Sequence, residues 1–441
     1  MKEDVKQVFE NIESGRQRMI QFLKELIRVD TQVPPGLNYD VVCEHIEKKY
    51  EDLGFDTSIH EASEKYLKLS GADFIGLKGP RSNLIALLKS GSGPTLHISA
   101  HIDTAAIQSE GWTIDPLGGE ITKHSKYGKS PFDKGGGYIW GRGVTDDKGE
   151  IAALTLAVEA LKESGFKPKG SLVFTANCDE EIGGVAGLGF LVRECNIHAD
   201  FGVQLDGGLN GIGLAAQGRT RFLIRTRGKS YHGQLPILGV NAIEKMSKIN
   251  VNLTDYWRNV LLKRKVKTPG IDFGEALRAH GVDGPTGMLN IGTIKGGVQG
   301  ATVPDLCEEE VLRGMVPGET FESVRNEMKA VLDGVKATDS DLVFELEVIN
   351  SREGYVVPAT DPYAIECQRI IEEAVGLRLP FTGTLASTDM NYQVVDAKMP
   401  CVNFGVGGPY SNSHKQDENA SIDEIVACAK AVALLIMRKI G

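Results

Sequence analysis

Paired thiols are missing from this chain of 441 residues: its seven cysteines, Cys43, Cys178, Cys195, Cys307, Cys367, Cys401 and Cys428, are odd in number, widely spaced and form no CxxC motif. That usage argues against a disulfide framework or a thiolate zinc site and suits a reducing cytoplasm. Long apolar runs are missing too, none reaching the roughly eighteen residues that a membrane-spanning helix needs. The opening MKEDVKQVFENIE is charged and helical where a secretory signal would be apolar, so the expectation is a soluble, cytoplasmic protein. An excess of positive charge is also absent, since 59 acidic side chains against 49 Lys and Arg leave a net charge of -10. Such a field attracts neither nucleic acid nor an anionic membrane, which leaves a small molecule as the expected partner. Several catalytic signatures are lacking as well. Gly228-Lys229-Ser230 is not preceded by the glycine of a phosphate loop, position 223 being Leu; no GxSxG elbow occurs; and the glycines at 135 to 137 match no dinucleotide fingerprint.

What is present alternates. Residues 3 to 28 space their apolar side chains as a helix does, up to the stop Val33-Pro34-Pro35-Gly36, and a second helix is expected from Tyr39 to Leu53, closed by Gly54. Strand-like runs at 82 to 88, 95 to 102, 171 to 176 and 201 to 205 surround a helix from Lys148 to Ser164, the pattern of a mostly parallel sheet covered on both faces. After Gly218 the order becomes strand, helix, strand, strand, helix, strand: 220 to 228, 242 to 249, 288 to 297, 308 to 316, 321 to 335 and 342 to 349. This predicts a small antiparallel sheet with helices on one side, inserted into the first domain. The catalytic domain is therefore assigned to residues 1–215 and 351–441, and the insert to 216–350. Helix and strand alternate again over 363 to 375, 401 to 406 and onward from Asp423.

Chemistry-bearing side chains gather in five short segments: His101 with Asp103, Asp146, Glu180 with Glu181, Asp206, and His414. Four of them follow a strand, and in open parallel sheets ligands collect beyond the carboxyl ends of the strands. Asp103, two residues beyond His101 on an extended chain, shares its face and can hold the imidazole. One aspartate of the Asp146-Asp147 pair is explained as a helix N-cap; the other is not. Asp179, Glu180 and Glu181 emerge together, and three adjacent carboxylates repel unless a cation or water neutralises them.

The set SAHIDT, GRGVTDDKG, DEEIGG, LDGG and FGVGG with SHKQDE, plus GKSYHG in the insert, closely resembles the M20 family of dinuclear metallohydrolases. That family includes acetylornithine deacetylase, succinyl-diaminopimelate desuccinylase, aminoacylase and glutamate carboxypeptidase. The resemblance covers essentially the whole chain in the family's motif order. It implies two divalent metal ions, zinc first, with cobalt or manganese able to occupy the same nitrogen and oxygen shell. It implies further that Asp146 bridges them, that His101 and Asp206 complete one site, and that Glu181 and His414 complete the other. Glu180 is then the general base, and Asp103 the residue that orients His101. The insert is implied to be a ferredoxin-like lid through which the protein forms a homodimer, closing on hinges near Gly218 and Ser351, with His232 stabilising the tetrahedral oxyanion in a partner's site. The strand at 220 to 228 or a helix of the lid is the expected interface. Arg313 matches an arginine that grips a substrate carboxylate, a plain ion pair being its alternative. Two positions depart from the family pattern: Ala301 stands where Asn is common, and Asn391 where amino-acid deacylases often carry Arg. The activity implied is hydrolysis of an amide-type C–N bond, as an N-acyl amino acid or related deacylase, with a dipeptidase, a carboxypeptidase or a hydrolytic deaminase of an unusual substrate as alternatives. A non-catalytic binding protein on the same fold is the remote one.

Overall fold

The computed structural model of the protein describes residues 3–441. The chain divides into two compact units, one reaching Leu214 and resuming over Val357–Thr382 and Thr388–Gly441, the other comprising Ala215–Val356 and Gly383–Ser387.

The first unit is built on a sheet whose centre is parallel. Ser171–Asn177, Thr95–His101, Phe201–Leu205 and Cys401–Phe404 lie side by side in that order and all run the same way. Their carboxyl ends therefore reach one edge together, the arrangement that the strand-end ligands require. Ser82–Leu88 and Asp56–Glu61 add antiparallel strands on one side. On one face Leu96, Ile98, Phe174 and Ala176 are fully or almost fully buried, and the helices Lys148–Glu163 and Ile422–Ile440 pack together there. The other face, which includes Val173, packs on Leu188, Phe190 and Leu191. The N-terminal helical run is two helices, Glu3–Ser14 and Arg16–Arg28. They part at Gly15, where a Cβ would stand 2.5 Å from Leu156 Cδ1, so the glycine lets the bend settle on the helix beneath. The helix Tyr39–Leu53 ends as expected, Gly54 taking φ 94° and donating its N–H to the last turn. The strand Asp56–Glu61 and a small sheet of Asn419–Ser421, Tyr138–Trp140 and Glu120–Thr122 escape sequence analysis, being short or on an exposed edge, where alternation is weak.

The second unit orders its four antiparallel strands Met288–Gly296, Leu306–Met315, Gly218–Arg227, Val343–Arg352. With the helices Ala242–Asn259 and Phe321–Ala337 packed on Phe222, Ile224 and Val311, this is the ferredoxin-like arrangement. Gly218–Arg227 lies inside the sheet with both edges paired, so it cannot supply an edge-to-edge interface; the edge strand on one side is Met288–Gly296. Arg221, Arg225 and Arg227 of the inner strand Gly218–Arg227 pair with Glu310, Glu308, Glu347 and Glu345 on neighbouring strands. Among the described residues no helix is long and apolar enough to cross a membrane.

Candidate metal centre

His101 is the last residue of its strand, and its ring is held on both sides. Nδ1 donates to the Asp103 carbonyl at 2.9 Å, with Asp103 Oδ1 at 3.4 Å, while Nε2 faces Asp146 Oδ1 at 2.9 Å. His101, Asp146 and Asp206 each offer one ligand atom to a group whose atoms all lie within 4.8 Å of one another. A second such group is Asp146, Glu181 and His414, with His414 Nε2 at 2.8 Å from Asp146 Oδ2 and 3.2 Å from Glu181 Oε2. Asp146 belongs to both and presents one oxygen to each. In the first group His101 is fully buried and Asp146 and Asp206 are partly so, whereas in the second Glu181 is 8% exposed but His414 56%, so solvent and ligands reach that side.

The electrostatics follow from this crowding. Burial pushes the Asp206 carboxyl well above its usual range, reinforced by Glu180 and Asp146. Burial, then the charge of Asp146, pushes Glu181 up to about 7. Hydrogen bonds to Asp146 and Glu181 raise the His414 imidazole to about 11. Burial pulls His101 down, but the Asp147 charge and hydrogen bonds to Asp103 and Asp146 outweigh it and leave it well above its usual range. In the protein alone, protonated imidazoles thus supply the positive charge that the carboxylates demand. A divalent cation bound by imidazole and carboxylate would take over that charge and displace the protons. The donor set, nitrogen and oxygen without thiolate, fits a borderline divalent metal.

Glu180 and Glu181 part company here. Both backbone N–H groups donate to the Asp103 carboxylate, at 3.1 Å each, so Asp103 holds this turn as well as the His101 ring. Glu181 enters a ligand group; Glu180 does not, and its charge instead bears on Asp206. Asp179 turns away in the left-handed conformation (φ 62°), and its Oδ1 accepts from Tyr39 at 3.0 Å and Arg81 at 3.4 Å. The mutual repulsion expected of three carboxylates is relieved by that reversal.

Other placements bear on the sequence reading. Asp147 precedes the helix but its side chain caps nothing; Oδ2 accepts the His101 N–H at 2.8 Å, fixing the strand end instead. Arg313 is fully buried, its Nη2 on Glu319 at 2.8 Å and Nη1 on the Gly314 carbonyl, an internal ion pair with no open side for a substrate carboxylate. Asn391 is buried beside the turn at Asp389, with its Oδ1 unpartnered. His232 is exposed, and its Nδ1 accepts the Gln234 N–H at 3.2 Å, which leaves Nε2 carrying the proton of the neutral ring. Ser413, donating to Asp146 Oδ2 at 2.9 Å, was missed although it adjoins His414. So was the buried pair Arg142–Glu418 at 2.6 Å, in which Glu418 also accepts from the Gly143 and Thr145 N–H groups. That pair ties the loop of Asp146 to the loop of His414. Both residues lie inside quoted motifs, but nothing in the sequence says that they meet.

A parallel sheet whose strand ends gather two ligand groups around one shared carboxylate defines a metallohydrolase. The chain belongs to peptidase family M20/M25/M40, whose sequence profile matches residues 97–438, and it is an enzyme acting on amide C–N bonds. It is 25% identical, over 98% of this chain and 97% of the relative, to the N-formyl-4-amino-5-aminomethyl-2-methylpyrimidine deformylase of Bacillus subtilis (strain 168). Its fold is that of the dipeptidase Dug1p from Saccharomyces cerevisiae (TM-score 0.75, 17% identity, 99% of this chain and 98% of that one). A dinuclear metal-binding peptidase of the same family, the YXEP protein of Bacillus subtilis, is also similar in fold (TM-score 0.58, 14% identity, 97% and 99%).

Proposed function

We propose that the protein removes a short acyl group from the nitrogen of a small amine, with two divalent cations, zinc by preference and cobalt or manganese as substitutes, held at the two ligand groups. The observation that carries this reading is Asp146, whose Oδ1 and Oδ2 lie 2.9 Å and 2.8 Å from the imidazoles of His101 and His414. His101 and Asp206 would hold one cation, Glu181 and His414 the other, with Asp146 between them. Cations bound there would polarise the acyl carbonyl and lower the pKa of water from about 15.7 toward 7.

Glu180, next to the ligands but outside both groups, takes the proton of the attacking water as its oxygen bonds to the acyl carbon. When the C–N bond breaks, Glu180 returns that proton to the leaving nitrogen, and a carboxylic acid and an amine result; the acid then passes its own proton to the amine, leaving a carboxylate and an ammonium. His232, with its proton on Nε2, donates to the oxyanion, from one protomer to its partner's site in a homodimer. The dimer forms through the inserted unit, where Val298 and Ile237 are 91% and 88% exposed. The protein acts in the cytoplasm.

Ala301 and Asn391, in place of Asn and Arg, speak against a standard N-acyl amino acid as substrate. The Bacillus subtilis relative is named for a formyl group on an aminomethylpyrimidine, and an N-formyl or N-acetyl amine carrying a nitrogen heterocycle is the first class to assay. Amine release should be followed across N-formyl and N-acetyl heterocyclic amines, N-acyl amino acids and unblocked dipeptides, with zinc, cobalt and manganese. Turnover of the acylated amines supports the proposal. Turnover of unblocked dipeptides alone makes the protein a dipeptidase instead.

A further inference from the structure

A row of side-chain hydrogen bonds crosses the face of the sheet that packs on Leu188 and ends beside the ligand groups. Gln393 Nε2 donates to His97 Nδ1 at 3.1 Å, and His97 Nε2 donates to Thr175 Oγ1 at 2.9 Å. Thr175 donates to Ser99 Oγ at 3.1 Å, Ser99 to Asn177 Oδ1 at 2.7 Å, and Asn177 Nδ2 to Asp389 Oδ2 at 2.7 Å. All six side chains are fully buried. A neutral imidazole has one donor and one acceptor nitrogen, so the Gln393 amide sets the His97 tautomer and every later link donates in the same direction, toward a carboxylate. Aligned links strengthen one another in a medium of low dielectric.

The row arises from strand register. His97, Ser99 and His101 alternate along one strand, and Ser99 and His101 pair with Thr175 and Asn177 of its parallel neighbour. Its far end touches the site's framework at two places and bears on it through charge at a third. Asn177 lies opposite His101, and its carbonyl accepts the Ile102 N–H at 2.9 Å. Asp389 Oδ1 lies 1.9 Å from where a Cβ on Gly184 would stand, packed against the turn that carries Glu180 and Glu181. The charge of Asp389 also bears on Asp206. A core network serving stability alone would not need to end on a carboxylate at the ligand edge.

We infer that the relay from Gln393 through His97, Thr175, Ser99 and Asn177 to Asp389 is a positioning device for the His101 and Asp206 ligand group. It acts through Asp389 and the end of the His101 strand, and no member of it touches substrate. This rests on the metal reading above. The test is titration of demetallated protein with zinc against a competing chelator, with thermal melting in parallel. Thr175→Val, isosteric but without the hydroxyl, and Ser99→Ala each break the relay, while Thr175→Ser keeps it. Thr175→Val and Ser99→Ala should each weaken one of the two zinc constants about 10-fold or more, as loss of an outer-shell partner does, with Thr175→Ser near wild type. Wild type binding fewer than two zinc ions overturns the metal reading itself. Wild type binding two, with both constants unchanged in the broken variants whatever their melting temperatures, overturns the relay alone. Failure of both broken variants to fold while Thr175→Ser folds assigns the row to core stability and overturns it too.

Discussion

Glu180 and Glu181, adjacent in sequence, face different neighbours, and their roles can be separated by substitution. Glu180→Gln keeps the volume and leaves both ligand groups complete, so metal content measured by mass spectrometry should be unchanged while turnover falls by about 10²–10⁴. Near-normal turnover would remove Glu180 as the base. His101→Ala and His414→Ala each spoil one group and spare the other, so each protein should retain one tightly bound zinc ion on titration; Asp146→Ala spoils both and should retain none. The side chains of the two candidate ligand groups were legible in the sequence, since four of the five segments follow strands. The companions Asp147, Ser413, Arg142 and Glu418 were not, because their roles arise from contacts between segments up to 276 residues apart.

Among elements, the central strand Leu306–Met315 of the second unit is unusual in pointing Glu309 into the helix-covered core beside Cys307 and Val311. Burial pushes its carboxyl up to about 7 against the pull of Asn250. The folded protein keeps this proton while the unfolded chain releases it from an ordinary value of 4.5 upward. The stability so contributed is full below 4.5, declines as pH rises toward about 7, and is lost above that. Glu309→Gln should remove this slope, so its stability relative to wild type rises across that window by on the order of 2 kcal/mol, read from denaturant unfolding at a series of pH values. An equal slope in both proteins would contradict it. In the first unit, Gly184 has φ 65° and no room for a side chain against Asp389. Gly184→Ala should lower both melting temperature and zinc affinity, whereas Gly165→Ala, at φ 74° but in open space, should cost stability alone. Most elements were readable from periodicity; the first helical run was not resolved into two because Gly15 acts through its neighbour Leu156.

For the whole molecule, cations that bind the folded state and not the unfolded chain would link metal to stability. Chelation should abolish hydrolysis and lower the melting temperature, and added zinc should restore both. An ion at about 100 times its dissociation constant contributes roughly 2.7 kcal/mol. Retention of activity after complete demetallation would defeat the metal mechanism. Sedimentation of the active enzyme should give a dimer; a strict monomer with full turnover would exclude the trans role of His232.

The sequence by itself determined the class of fold, an inserted unit with a small antiparallel sheet and helices on one side, and the set of ligand-type residues, because alternation of period two and strand-end position are local properties of the chain. Tertiary structure decided how that set divides. The left-handed turn at Asp179 sends one carboxylate of three to Tyr39 and Arg81, leaving Glu181 for His414 and Glu180 beside Asp206. It also closed Arg313 into an internal ion pair and joined the polar side chains of two parallel strands into one row. These outcomes depend on strand register and on which distant charge fills a buried site, neither of which is written in any single segment.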